Sequence, residues 1–220
     1  MVRDHFRRII VADTLATIAL RKTTRSFTDT LPDTASMEAI AKTAWQAPFG
    51  GATGIPLSEG RKVFVLLPES AKRIEAVTIL YTTIRKNTLR LRWLLKCVPW
   101  LKKKMGAFSA QLDMLAVHGI PGLDQATYYV IVAERRGFPP VEKQSLAHVM
   151  QNMWLAATDM GLGFQMLSAT SLMGKSPAFM NLLGLEKGKW ALDGCLIGYA
   201  DEAETAKRNP APTEPYVVLK

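Results

Sequence analysis

The spacing of apolar positions outlines the chain. Met37, Ile40, Ala41 and Ala44 recur at i, i+3, i+4 and i+7 and predict a helix over 36–45, with Thr34 or Ser36 as its cap. Residues 3–20 and 70–81 read as further helices. A longer helix over 141–160 begins behind Pro139 and Pro140, and Gly161 supplies its stop. Its stripe of Leu146, Val149, Met150, Met153, Ala157 and Met160 is joined by a second apolar face at Trp154, Leu155 and Ala156. A helix apolar around most of its circumference is buried, here against a subunit interface as well as a core. β-Branched and apolar runs predict strands at 62–67, 127–133 and 190–199, with a shorter one at 163–167. Residues 48–60 read as a glycine- and proline-rich loop. Short helices are predicted at 109–117 and 177–183, and a strand-like tail at 216–219. Strands mixed with more numerous helices give an α+β fold.

Composition fits one domain over 1–220. Of the 220 residues, 48% are hydrophobic and 21% charged, enough for a core without disulfide or metal staples. Cys97 and Cys195 form no C-x-x-C pair and read as free thiols in a reducing compartment. His5, His118 and His148 are isolated, so no metal site is expected. The N-terminus is basic but lacks the apolar run of a signal peptide, and no uncharged apolar stretch reaches about 18 residues, so a cytoplasmic protein is expected. The net charge of +9 is concentrated in one segment. Between Glu75 and Asp113 there is no acidic residue, whereas Arg85, Lys86, Arg90, Arg92, Lys96, Lys102, Lys103 and Lys104 all fall there.

Three clusters carry candidate chemistry. Arg21-Lys22-Thr23-Thr24-Arg25-Ser26-Phe27 offers two guanidinium groups, one ammonium and three hydroxyls. That set suits a phosphate, because arginine forms charge-assisted, often bidentate bonds to phosphate oxygens. The same cations would also offset the dipole of a solvated helix end. Lys207 and Arg208 follow Gly198-Tyr199 and an acidic stretch; taken alone they read as an ordinary surface loop. The small residues of Gly161-Leu162-Gly163-Phe164-Gln165-Met166-Leu167-Ser168-Ala169 either let the backbone approach something flat or bulky, or simply turn a helix into a strand. This run is neither a Walker loop nor a Rossmann fingerprint, and no Ser-His-Asp set is present.

In order and spacing these clusters resemble the nitroreductase family of flavin mononucleotide (FMN) enzymes. The family's R-R-S-x-R-x-F run is matched by Arg21, Lys22, Thr23, Arg25 and Phe27. Its A-A-x-x-x-G-L-G phrase is matched by Ala156-Ala157-Thr158-Asp159-Met160-Gly161-Leu162-Gly163, and its closing G-Y and basic linker by Gly198-Tyr199, Lys207 and Arg208. The resemblance covers most of the chain outside 82–125. It implies a nitroreductase-like fold, a central mixed or antiparallel sheet surrounded by helices, in an intertwined homodimer. By position it implies Arg21, Lys22, Thr23 and Arg25 as phosphate and ribityl ligands, with Arg208 and Lys207 as a second phosphate clamp. The backbone at Ser168 and Ala169 would meet the reactive edge of the flavin ring. Gln151 or Asn152 would face the partner's flavin, and the loop Pro48-Phe49-Gly50 would lie against the cofactor. The implied reaction is ping-pong transfer from NADH or NADPH to an electron-poor small-molecule acceptor. No catalytic side chain is obligatory, because the cofactor carries the chemistry. Relatives of the fold include reductive dehalogenases and a flavin-destroying enzyme, and these remain the alternative. One departure is plain: the family loop P-S-x-x-N-x-Q-P is here Pro48-Phe49-Gly50-Gly51-Ala52-Thr53-Gly54-Ile55-Pro56, without the Asn and Gln.

The basic segment admits three readings. Ile84, Leu91, Leu94, Leu95 and Val98 share one helical face, with Arg85, Arg92 and Lys96 opposite. A lid packed by its leucines is the first, in keeping with the cover that this stretch forms in the family. Peripheral contact with an anionic membrane through 85–104 is the second. Nonspecific nucleic-acid contact is the third, and is not expected. The rival to an enzyme is a basic binding module without redox activity.

Overall fold

The computed structural model describes residues 13–50 and 54–201. Its centre is a four-stranded sheet of β1 (Arg61–Leu66), β2 (Tyr128–Arg135), β3 (Gly163–Met166) and β4 (Trp190–Gly198), in the order β1-β2-β4-β3. All three ladders are antiparallel, so of the two sheet types expected the antiparallel one is found. β2 and β4 hold the middle, and their near-continuous apolar runs are buried on both faces.

Helices cover the two faces. On one side lie α2 (Thr34–Gln46) and α6 (Glu142–Asp159), burying Met37, Ile40, Val149, Met150 and Met153 against Val130, Val132 and Cys195. On the other lie α4 (Ala71–Cys97), α7 (Thr170–Met173) and α8 (Pro177–Leu182), burying Ala76, Leu80, Ile84, Met173 and Phe179 against Tyr129, Ile131 and Leu192. α5 (Pro99–His118) runs back along α4, and Arg92 Nε donates to Asp113 Oδ1 between them at 2.8 Å. α1 (Thr14–Leu20) lies beside α6 and buries none of its own residues.

Several expectations need correction. α4 does not stop at Tyr81 but continues to Cys97, because Ile84 and Thr88 keep its buried stripe in register. The helix foreseen at 109–117 is the second half of α5. Residues 48–60 are not all loop, since α3 (Leu57–Gly60) turns the chain into β1. Neither Thr34 nor Ser36 caps α2: Asp33 does, its carboxylate accepting from the Ser36 N–H at 2.8 Å. The early part of the predicted first helix, Gly51 to Thr53, and the tail at 216–219 lie outside the described residues. Of the two thiols, Cys97 is exposed at the end of α4 and Cys195 is buried in β4.

Candidate functional site

The cationic run after α1 lies along the free edge of β3. Thr24 N–H donates to the Phe164 carbonyl at 3.0 Å, with a parallel bridge between Thr23 and Phe164. Farther on, Thr28 N–H donates to Tyr199 O at 2.9 Å and Asp201 N–H to Ser26 O at 3.0 Å. The segment is thus held by β3 and by the chain that continues β4. Two glycines shape the turn from α6 into β3. Gly161, at φ +71°, ends α6 in a conformation that a side chain would strain. At Gly163 a Cβ would come within 2.8 Å of the Thr24 side chain. What Gly163 admits, then, is the cationic run itself.

The side chains around Arg21 are stacked. The Arg21 guanidinium lies 4.2 Å from the centre of the Trp154 ring, and Trp154 stacks on Phe164 at 5.1 Å and 14°. Trp154 Nε1 also donates to the Lys22 carbonyl at 3.3 Å. One indole thus holds both the first cation and the backbone of the next residue. Arg21 Nε is buried, and among the described residues it has no hydrogen-bond partner. A guanidinium N–H removed from water without an acceptor is costly, so this atom fits an anionic ligand. Thr23 is half-buried; Lys22 and Arg25 are exposed.

Other predicted residues divide. Gln151 is half-buried on α6, three residues before Trp154, so the two share one flank of the helix. Asn152 is turned away from that flank and donates to Thr43 O on α2 at 3.4 Å. Ser168 is exposed and Ala169 half-buried, directly after β3. Among the described residues their N–H groups meet no acceptor. Pro48, Phe49 and Gly50 are not brought to this cluster within one chain. They sit at the Arg61 end of β1, level with Ala191, whereas Phe164 pairs with Ile197 on the opposite sheet edge. Strand spacing puts the two places roughly 25 Å apart. Lys207 and Arg208 lie outside the described residues.

Sequence reasoning missed what anchors the 48–50 loop. Arg61 and Glu134 are both fully buried and form an ion pair at 2.5 Å. Arg61 also donates to the carbonyls of Ala44 at 2.5 Å, Ala47 at 3.0 Å and Pro48 at 2.8 Å. Ser145 Oγ donates to the same Pro48 carbonyl at 2.8 Å. Burial pushes the Glu134 carboxyl up while Arg61 pulls it down.

Asp193, on β4 where β3 gives out, has its carboxyl pushed up to about 6 by burial, against one N–H bond from Gly194. Unfolded, it would release its proton near 3.8. Between these values the native chain holds a proton that the unfolded chain has lost, so stability falls as pH rises through the window. Asp193→Asn is therefore expected to be the more stable protein at pH 7, with the gap closing toward pH 4. Urea midpoints at several pH values check this; parallel curves for the two proteins would refute it.

An apolar cleft of about 340 Å³ opens between α4, α5 and α7, lined by Ile84, Leu91, Leu94, Phe108, Leu112 and Leu172 among others. Leu172, on the α7 side of the cleft, follows Ser168 by four residues in the chain.

Comparison with known proteins fits this geometry. Among solved structures, a nitroreductase from Bacteroides fragilis with bound FMN is similar, with a TM-score of 0.67 and 16% identity, covering 94% of this chain and 99% of that one. A BluB-like flavoprotein from Clostridium difficile has a TM-score of 0.66 and 18% identity over 94% of this chain and 98% of that one. An iodotyrosine deiodinase bound to FMN and 3-iodo-L-tyrosine has a TM-score of 0.63 and 18% identity over 94% and 97%. At such identities the likeness is one of fold. No curated protein sequence matches the chain. The sequence model described as the Nitroreductase family matches residues 18–199, and the chain belongs to that family.

Proposed function

We propose that this chain binds FMN and acts as an oxidoreductase, passing electrons from NADH or NADPH to an electron-poor organic acceptor. Bound flavin would supply the hydride and electron chemistry. The observation that carries the reading is the buried, unpartnered Arg21 Nε beside Thr23 at the edge of β3. Arg21, with Lys22, Thr23 and Arg25, would hold the phosphate and ribityl chain, Lys22 from the exposed side with its carbonyl fixed by Trp154. Lys207 and Arg208 would close the phosphate site from a chain that is held against Ser26 as far as Asp201. The Ser168 and Ala169 N–H groups would meet the reactive edge of the ring, and the apolar cleft beside α7 would admit the acceptor.

We also infer a homodimer. Only a second copy can bring Pro48, Phe49 and Gly50 to the Arg21 cluster, and Gln151 would then face the flavin shared across the interface. α1 offers surface for such a contact, with Leu15 78% and Leu20 70% exposed.

One experiment tests the core of this reading. The purified protein should be yellow, with a flavin absorption band, and should oxidise NADH or NADPH when given a nitroaromatic acceptor. A halogenated aromatic and FMN itself belong in the same assay, since the deiodinase and BluB-like neighbours share the fold. A colourless protein that also fails to take up added FMN would end the proposal. Trp154→Leu removes the ring beneath Arg21. It is expected to weaken FMN binding about 2- to 30-fold, the range of a cation–π contact, while riboflavin, which lacks the phosphate, binds as before. Fluorescence titration with both ligands measures this.

A further inference from the structure

The α4–α5 hairpin is longer than the body it is rooted in. Along α4 the buried residues are Arg73, Ala76, Leu80, Ile84 and Thr88, and none follows between Leu89 and Cys97. Along α5, among the side chains described, burial resumes only at Ser109 and Leu112. The tip, 89–108, therefore extends beyond the last buried residue by roughly 13 Å, the rise of nine helical residues, while Leu91, Leu94 and Phe108 on its inner side line the cleft that Leu172 closes.

That tip is apolar where a solvated surface would be polar. Trp93 is 68% exposed, Trp100 72% and Leu89 64%. Interleaved with them are the exposed cations Arg90, Lys96 and Lys103. No acidic residue occurs from Ala76 to Leu112 to balance them. From these observations we propose that the hairpin tip docks on an anionic lipid surface.

The chemistry selects this partner over others. Indole rings settle at headgroup depth, aliphatic side chains enter the acyl boundary, and cations meet lipid phosphates. Each cation near such a surface is worth roughly a fivefold gain in affinity. A second copy of the chain is a poorer match, because outside this segment its charges nearly balance and offer no acidic excess. Nucleic acid would reward the cations and the rings but not Leu89. No described helix is long and apolar enough to cross a membrane, so the contact would lie on the surface.

The test is sedimentation of the full-length protein with vesicles of phosphatidylcholine alone, or with about one third phosphatidylserine. Binding should be at least about tenfold tighter on the anionic vesicles and should weaken as salt rises. Trp93→Ser with Trp100→Ser, and separately Lys96→Glu with Lys103→Glu, should each reduce it about tenfold or more. Circular dichroism and melting temperature should stay at the parental values, since all four side chains are exposed. Equal binding to both vesicle types, or to neither, overturns the proposal. It is equally overturned if the tip binds duplex DNA in place of vesicles, or if the tryptophan pair converts a dimer to monomers.

Discussion

Arg61→Ala is expected to lower the free energy of unfolding by about 3–5 kcal/mol, the cost of stranding one partner of a buried ion pair. Total stabilities of domains are about 5–15 kcal/mol, so the variant would be marginal or unfolded at 37 °C. Two losses combine. Glu134 would lose its counter-ion at a fully buried position, where burial pushes its carboxyl toward the protonated form, and the carbonyls of Ala44, Ala47 and Pro48 would lose a shared donor. They can be separated. Arg61→Met with Glu134→Leu removes both charges and should recover part of the stability, but not the part that belongs to the carbonyls. Urea unfolding followed by tryptophan fluorescence gives both numbers. A loss under about 1 kcal/mol for the single variant would show that the pair contributes little net stability.

The second large effect concerns ligand rather than fold. On the proposed FMN reading, Arg21→Ala should weaken FMN binding about 10- to 100-fold, as expected for loss of charge-assisted bonds to a phosphate. Riboflavin should bind within about twofold of the parent, because the ring and its contacts at Ser168 and Ala169 are untouched. Arg21 is half-buried at the surface end of its stack, so the melting temperature should change little. An equal loss for both flavins would mean that Arg21 shapes the cavity instead of holding the phosphate.

Much of this fold is legible in the sequence because its central elements carry strong local signals. β2 and β4 are apolar runs long enough to be strands and too short for helices. α6 carries a continuous stripe that closes at Gly161. The 21–27 run is legible as chemistry because its cations and hydroxyls are adjacent in sequence. What escapes is long-range. Arg61 and Glu134 stand 73 residues apart at the polar ends of apolar runs, and only the strand register makes them neighbours. Trp154 reads as one more apolar position until the folded chain sets Arg21 on its ring. α4 looks broken at Thr82 and Thr83, yet the Thr82 hydroxyl donates back to Thr78 O at 2.8 Å and the core stripe continues beneath it. Pro48 is held through its carbonyl, a contact indifferent to which side chains follow.

The two thiols differ in a way that experiment can use. Burial pushes the Cys195 thiol well up, leaving it inert, while Cys97 faces solvent where the hairpin turns. A maleimide dye added to the unaltered polypeptide should therefore attach at a single position, three residues from Trp100. An environment-sensitive fluorophore there would report emission shifts from that turn, with no engineered attachment point required.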